Sequence, residues 1–298
     1  MNSQAITSTQ DWFPMKMKKY NLVICSIFKN ESRYLKEWVE YHRMVGVEHF
    51  YLYNNDSTDN YKEELKYYLD NNIVTLVDFP GEKQQMPAYN HFLKNYSDEA
   101  IYGAIIDVDE FIVPMDKTTI LDEMADIVDR SIEKEKIQGA GGRCVGISLC
   151  WLYYGTSFHI DRPDGLVLEN YLNRISEEDN DNWCKCILYL EAIKEIINPH
   201  FPLLDIDDYI IDEDGDRIGF LGRAFTTKAK HLRINHYTTK SYKEHLYKLT
   251  ERGFADGLQI SEEHRDKLLN QGRFQFNEVY DPLTLRYVPA LKNRLKII

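Results

Sequence analysis

No apolar run in the 298-residue sequence reaches the ~18–20 residues that a membrane-crossing helix needs. The opening stretch, Met1 to Asp11, has neither a basic nor an apolar segment, so it does not read as a secretory signal. Basic residues are in deficit, with 36 Lys and Arg against 48 Asp and Glu and a net charge of −12. That balance argues against general nucleic-acid binding, because phosphate contacts are made mainly by Lys and Arg. Cysteines are few and odd in number: Cys25, Cys144, Cys150, Cys184 and Cys186. Cys184-Lys-Cys186 has no second pair to close a zinc site, so buried, reduced thiols are expected. The nine prolines form no linker, and there is no repeat or low-complexity tract. One continuous domain is therefore expected, in the cytoplasm and with peripheral association at the inner membrane face.

What the sequence does have is 43% hydrophobic and 13% aromatic residues, enough for a substantial core. Asn21 to Phe28 reads as a strand covered on both faces, followed by a helix carrying Tyr34, Leu35, Trp38, Val39, Tyr41, His42 and Val45 on one stripe. Strands at 49–53, 73–77 and 104–106 alternate with helices at 60–70 and 85–96. This pattern predicts an α/β fold with a mostly parallel central sheet flanked by helices. Beyond residue 115 the pattern loosens into a smaller mixed part. It contains a charged surface helix at 118–137, strands at 145–154 and 228–237, a strand ending at Glu169, and a helix at 241–252. Asp212-Glu-Asp-Gly-Asp216 reads as an exposed turn inside a hairpin.

In open parallel sheets, ligands collect beyond the carboxyl ends of the strands. Those ends carry Lys29-Asn30-Glu31, Asn54-Asn55-Asp56 and Asp107-Val108-Asp109. Asp-x-Asp pairs recur in this acidic chain, but Asp107 and Asp109 are pinned on both sides by hydrophobic sequence. Two carboxylates at i and i+2 where a strand runs out can reach one hard cation, which removes the cost of holding unpaired acids near a core. A nucleotide-type ligand with a metal is expected there.

The ordered series Lys29-Asn-Glu31, Leu35-Lys-Glu-Trp38, Glu40-Tyr-His42, Leu52-Tyr-Asn-Asn-Asp-Ser-Thr-Asp59, Ala88-Tyr-Asn90 and Asp107-Val-Asp-Glu-Phe111 resembles glycosyltransferase family 92 and related family-2-like bacterial transferases of GT-A fold. The resemblance continues through Trp151 to Ser157, Lys194 to His200 and Asn235 to Ser241. It covers roughly residues 21–255, leaving 1–20 as an N-terminal extension and 256–298 as a helical or irregular extension packed on the domain.

The resemblance implies a metal-dependent, inverting transfer of a sugar from a nucleotide-diphosphate donor to a glycan or lipid-linked acceptor in surface polysaccharide synthesis, with UDP as the expected nucleotide and galactose as the guessed sugar. Asp107, Asp109 and His236 match the metal ligands, and a nitrogen ligand favours Mn²⁺ slightly over Mg²⁺. Phe28, Lys29, Asn30, Glu31, Asn55, Asp56 and Asp107 match the donor site, although family-2 relatives carry an acidic pair where Asn54 and Asn55 stand. Lys240 and Arg252 are expected to meet the diphosphate. Trp151 and Tyr154 suit an acceptor platform. Glu169 is the chosen general base from among Glu169, Glu177, Glu178, Asp179 and Asp181. The alternatives are a non-catalytic glycan-binding module on the same fold and a sugar nucleotidyltransferase.

Overall fold

The computed structural model describes residues 17–138, 142–180, 183–218, 229–252 and 276–298. In β1 (Tyr20–Phe28), successive side chains enter opposite layers. Leu22, Ile24 and Phe28 join one core, and Val23, Cys25 and Ile27 the other. A strand walled by apolar layers on both faces has to be apolar throughout, hence the unbroken run.

The chain continues through α1 (Ser32–Met44), β2 (His49–Asn54), α2 (Tyr61–Asp70), β3 (Val74–Asp78), α3 (Gln85–Tyr96), β4 (Ala100–Ile105) and β5 (Glu110–Pro114). It then forms α4 (Ile120–Gln138), β6 (Arg143–Tyr153), α5 (Val167–Asn170), β7 (Asn173–Arg174), β8 (Cys184–Tyr189), β9 (Ile196–Asn198), β10 (Phe201–Pro202) and β11 (Asp208–Ile211). The last described elements are β12 (Leu232–His236), α6 (Tyr242–Tyr247), β13 (Val279–Tyr280) and α7 (Val288–Leu295).

Strands β3, β2, β1 and β4 form a parallel block. β8 runs antiparallel between β4 and β6. β6 pairs with β8 over Gly146–Cys150, then passes Trp151–Tyr153 to β12 in parallel, and β12 ends the sheet against antiparallel β5. This is the helix-flanked, mostly parallel α/β architecture with a mixed second part expected of a GT-A fold. Its consequence for the site is one of register: His236 pairs with Glu110, so the end of β12 lies beside Asp109.

Three local expectations are corrected. The helix at 118–137 is not merely a charged surface element: Ile120, Met124, Ile127 and Val128 recur at helical spacing and are buried. The segment ending at Glu169 is the short helix α5 rather than a strand. Asp212 and Glu213 are buried rather than exposed, with Glu213 accepting the backbone N–H groups of Lys230, His231 and Leu232. The preceding strand, β11, pairs in parallel with β6, and a single bridge from Ile211 to Arg217 closes the turn.

All five cysteines are buried, and none forms a disulfide. No helix among the described residues is long and apolar enough to cross a membrane. Of the proposed C-terminal extension, residues 276–298 pack on the domain: β13 pairs with β7, and Arg294 on α7 contacts Glu40 on α1 at 2.9 Å. The remainder of that extension, Asp181 and residues 1–16 lie outside the described residues.

Candidate active site

The turn joining β4 to β5 presents Asp107 and Asp109, and α1 holds its backbone from beneath. Trp38 donates its indole N–H to the carbonyl of Glu110 at 2.7 Å, and Tyr41 donates to that of Ile112 at 3.0 Å. His42 accepts the Ile112 N–H through Nε2 at 3.2 Å. On the other side, the Tyr237 N–H donates to the Asp109 carbonyl at 2.8 Å. A buried helix face thus fixes where the acids stand.

Asp109 is buried, with Oδ1 lying 3.5 Å from His236 Nε2. Its other oxygen, Oδ2, accepts from Lys248 Nζ at 2.9 Å. Burial alone would raise its pKa, but the Lys248 ammonium and His236 outweigh this and hold the carboxyl well below the usual carboxylate range. Half-buried Asp107 accepts from Lys185 Nζ at 3.1 Å, Tyr89 OH at 3.0 Å and Gln85 Nε2 at 3.2 Å. Lys185 also stands 3.9 Å from Glu110. Burial opposes the charge on Lys185, yet Asp107 and Glu110 push its pKa up.

The donor set suits a hard divalent cation: carboxylate oxygens with one imidazole nitrogen. Two buried atoms beside it, Glu110 Oε1 and His236 Nδ1, have no hydrogen-bond partner among the described residues. Glu110 Oε1 lies 4.0 Å from His236 Nε2. Asp109 and His236 thus offer the donor types of a divalent-cation site, whereas both oxygens of Asp107 are engaged, Oδ1 by Tyr89 and Gln85 and Oδ2 by Lys185. At the far end of the β5–β12 pair, donor atoms of Asp116, Glu123 and His231 lie within 4.8 Å of one another. There Glu123 is already engaged by the backbone N–H groups of Asp116 and Lys117.

A cavity of about 460 Å³ runs from the ends of β1 and β2 to α6; Asp107, Asp109 and His236 do not line it, and Asp109 is linked to it through Lys248. Asn30, Glu31, Thr58 and Asp59 line one side, and Lys240, Glu244, Lys248 and Arg252 the other. Glu31 lies 3.6 Å from Lys240 and pairs with Arg252. The Lys240 ammonium also sits 4.4 Å over the Tyr34 ring. Asn30 holds the rim, its Oδ1 accepting the Thr58 N–H at 2.8 Å.

The other expected donor residues are mostly occupied with shaping the loops. Asn55 donates through Nδ2 to the carbonyls of Phe79 and Gly81, and exposed Asp56 accepts the Gly81 N–H. Phe28 is packed against Tyr61, while Lys29 is half-buried at the end of β1.

Trp151 is placed against the Asp109–His236 group, its ring 4.4 Å from that of His236 and 5.7 Å from Lys185 Nζ. Tyr154 does not suit an acceptor platform. It is fully buried, and its hydroxyl accepts from Arg233 at 3.1 Å. Glu169 likewise does not stand as a free base. Its carboxylate accepts the Leu166 N–H at 2.9 Å and pairs with Lys292 at 2.5 Å, so it caps α5 and ties it to α7.

The residues that sequence reading passed over are Lys185, Glu244 and Lys248. A pattern marks two of them: Lys240, Glu244, Lys248 and Arg252 recur every fourth residue and all line the cavity. Lys185 is a lone charge in an otherwise apolar buried strand, a signal in its own right.

An Arabidopsis thaliana glycosyltransferase family 92 protein is 32% identical over 94 residues, which span 31% of this chain and 16% of that protein. A β-1,4-galactosyltransferase of Caenorhabditis elegans is 29% identical over 119 residues, spanning 35% of this chain and 28% of that one. The crystal structure of S. aureus TarS residues 1–349 with UDP covers 84% of this chain and 69% of that one, at a TM-score of 0.37 and 13% identity, a loose likeness. The chain thus matches less than a third of each curated relative's length. The sequence model of glycosyltransferase family 92 matches residues 19–270, most of the chain, which therefore belongs to that family.

Proposed function

We propose that the chain is a glycosyltransferase that moves a sugar from a UDP-linked donor to a hydroxyl of a glycan or lipid-linked glycan, with inversion at the anomeric carbon. Family membership supports the reaction class. The galactosyltransferase name of the nematode relative makes galactose the first sugar to test. The observation that carries the reading is the 460 Å³ cavity whose walls bring Lys240, Lys248 and Arg252 to one place, with Lys248 bonded in turn to Asp109.

In this reading the strand end at Phe28, Lys29, Asn30 and Glu31 receives the nucleoside. Lys240, Lys248 and Arg252 face the diphosphate, where fixed cations in a water-poor site stabilise the charge that grows as the bond to the sugar breaks. Asp107, Asp109 and His236 would hold a divalent cation, Mn²⁺ or Mg²⁺, which when bound supplies Lewis-acid stabilisation of the leaving diphosphate. Trp151, packed at a tilt against His236, keeps the imidazole oriented toward Asp109. The acceptor class leaves room for peripheral contact with a membrane surface and none for nucleic acid.

The test is calorimetry with UDP, with and without Mn²⁺, on the wild type and on Asp109→Asn. Metal-dependent UDP binding is expected in the wild type. The variant should keep its fold and lose donor hydrolysis by on the order of 10²-fold or more. Near-normal turnover in the variant, or glycan binding without any UDP binding, would overturn the reading.

A further inference from the structure

With Glu169 ion-paired to Lys292, the acceptor side of the reaction lacks a base; Glu244, although it closes the capping box of α6 with Ser241, has no such cationic partner. Two cavities meet at α6. The larger is the 460 Å³ cavity whose wall residue Lys248 bonds Asp109, and the second, of about 370 Å³, is lined by Asp161, Arg162, Ser241, Lys243, Glu244 and Tyr247. Arg162, Glu244 and Tyr247 line both, so the two form adjoining compartments. Glu244 is the one carboxylate common to the two walls.

We infer that the smaller pocket receives the acceptor sugar and that Glu244 is the general base that takes the proton from its attacking hydroxyl. The inference rests on the transferase reading above.

The other carboxylates on these walls are already committed. Glu31 pairs with Lys240 and Arg252, Asp161 with Lys243, and Asp59 accepts the Ser32 N–H at 2.9 Å. Glu244 is instead held by neutral donors: Tyr34 OH, Tyr171 OH at 3.1 Å, and the Ser241 N–H and hydroxyl at 3.1 and 2.7 Å. Hydroxyl partners orient a carboxylate without neutralising it, as a base requires. Placement relative to the donor also fits. Lys248 is one turn beyond Glu244, its N–H bonded to the Glu244 carbonyl, and its ammonium reaches Asp109. Residues four apart share a helix face with Cβ atoms ~5–6 Å apart, so Glu244 stands about one side chain away from the diphosphate end of the larger cavity.

The pocket has the character of a carbohydrate site, with a half-exposed Tyr247 ring among charged hydrogen-bonding groups. The loop at 157–160, which leads into the pocket residues Asp161 and Arg162, is pinned to α6 by the Tyr242 N–H to the His159 carbonyl and the Lys243 N–H to the Ile160 carbonyl. That loop presents Phe158 at 76% exposure from a left-handed backbone (φ 67°). Thr156 Oγ1 holds this conformation by accepting the Phe158 N–H at 3.2 Å. Strain of this kind persists where the surroundings over-determine it, commonly at binding sites.

In the step itself, the acceptor O–H proton passes to the Glu244 carboxylate as the oxygen forms its bond to the anomeric carbon. The bond from that carbon to the diphosphate oxygen breaks, and its electron pair leaves with the nucleoside diphosphate. Burial pushes the Glu244 carboxyl up to about 7, partly opposed by the Ser241 N–H and Arg33 and assisted by Glu31. The facing titratable groups are Tyr34, Arg33 and Glu31 around α1, Tyr171 after α5, and Arg162 and Tyr247 on the pocket walls.

The experiment uses the full chain with UDP-galactose and Mn²⁺, following transfer to water and to methyl β-galactoside, with UDP affinity measured in parallel. Glu244→Gln should lose transfer by roughly 10²–10⁴-fold while its UDP Kd stays within about twofold, a check that also shows the variant is folded. The wild-type kcat should rise as pH passes through about 7, and Glu244→Asp should restore part of the rate with a shifted limb, neither of which a purely structural cap would produce. Lys243→Ala, on the pocket wall, should raise the KM for methyl β-galactoside. If Glu244→Gln transfers within threefold of wild type, the base assignment is overturned while the donor site stands. If wild type binds no UDP, both readings fall.

Discussion

Replacing His42 by glutamine tests how α1 supports the turn that carries Asp107 and Asp109. The imidazole is fully buried, donating from Nδ1 to the Trp38 carbonyl at 2.9 Å and accepting the Ile112 N–H at Nε2. Both nitrogens are thereby fixed in the neutral tautomer. Burial lowers the ring's pKa to about 3, the Trp38 bond opposing only in part, whereas an unfolded histidine titrates near 6.5. The sign follows: the folded state refuses a proton that the unfolded state takes. The stability this contributes is complete above pH ~6.5 and is lost as pH falls toward 3.

Between pH 7 and pH 5 the linkage relation gives a loss of about 2 kcal/mol from this group alone. Glutamine cannot titrate, and whichever bond it keeps, one buried backbone group loses its partner at about 1–3 kcal/mol. Urea unfolding should therefore find His42→Gln less stable than wild type at pH 7, with the gap narrowing by about 2 kcal/mol at pH 5. Parallel stability–pH curves for the two proteins would refute the buried-neutral assignment. Because Ile112 follows Asp109 by only three residues, donor affinity should fall along with stability.

Lys185→Met strands Asp107 and Glu110 in the interior, and breaking a buried pair in this way should cost about 3–5 kcal/mol in a denaturant titration. Asp281→Asn removes the charge shared by Arg174 and Arg233 at 2.8 and 2.7 Å. It should cost a similar amount and speed proteolysis near residues 276–281, whereas an unchanged cleavage rate would count against it. Gly155→Ala would put a Cβ 2.5 Å from the Phe276 carbonyl oxygen, so a destabilisation of about 1–3 kcal/mol should appear as a lower Tm.

The parallel block was legible because two-sided burial writes itself as uninterrupted apolar runs such as Leu22 to Phe28. Asp107 and Asp109 were legible because hydrophobic neighbours leave a pair of acids few reasons to be there. The roles of Lys185, Lys248 and Arg252 depend on contacts across 78, 139 and 221 residues of chain, with Asp107, Asp109 and Glu31 respectively. Local periodicity carries no record of such partners. Tyr154 and Glu169 misled for a related reason. An aromatic near a loop and an acid after an apolar run look alike whether they meet a ligand or, as here, Arg233 and Lys292.

The lysines that accompany the two aspartates bear on how the protein is made as well as on what it does. Because each acid arrives with an internal counter-ion, the polypeptide can reach its native shape without waiting for a cation, unlike small metal-nucleated domains that are unfolded without one. In the metal-dependent reading proposed above, a chelator should then stop transfer yet leave the unfolding temperature in place, so that ion supply governs output while the protein stays folded.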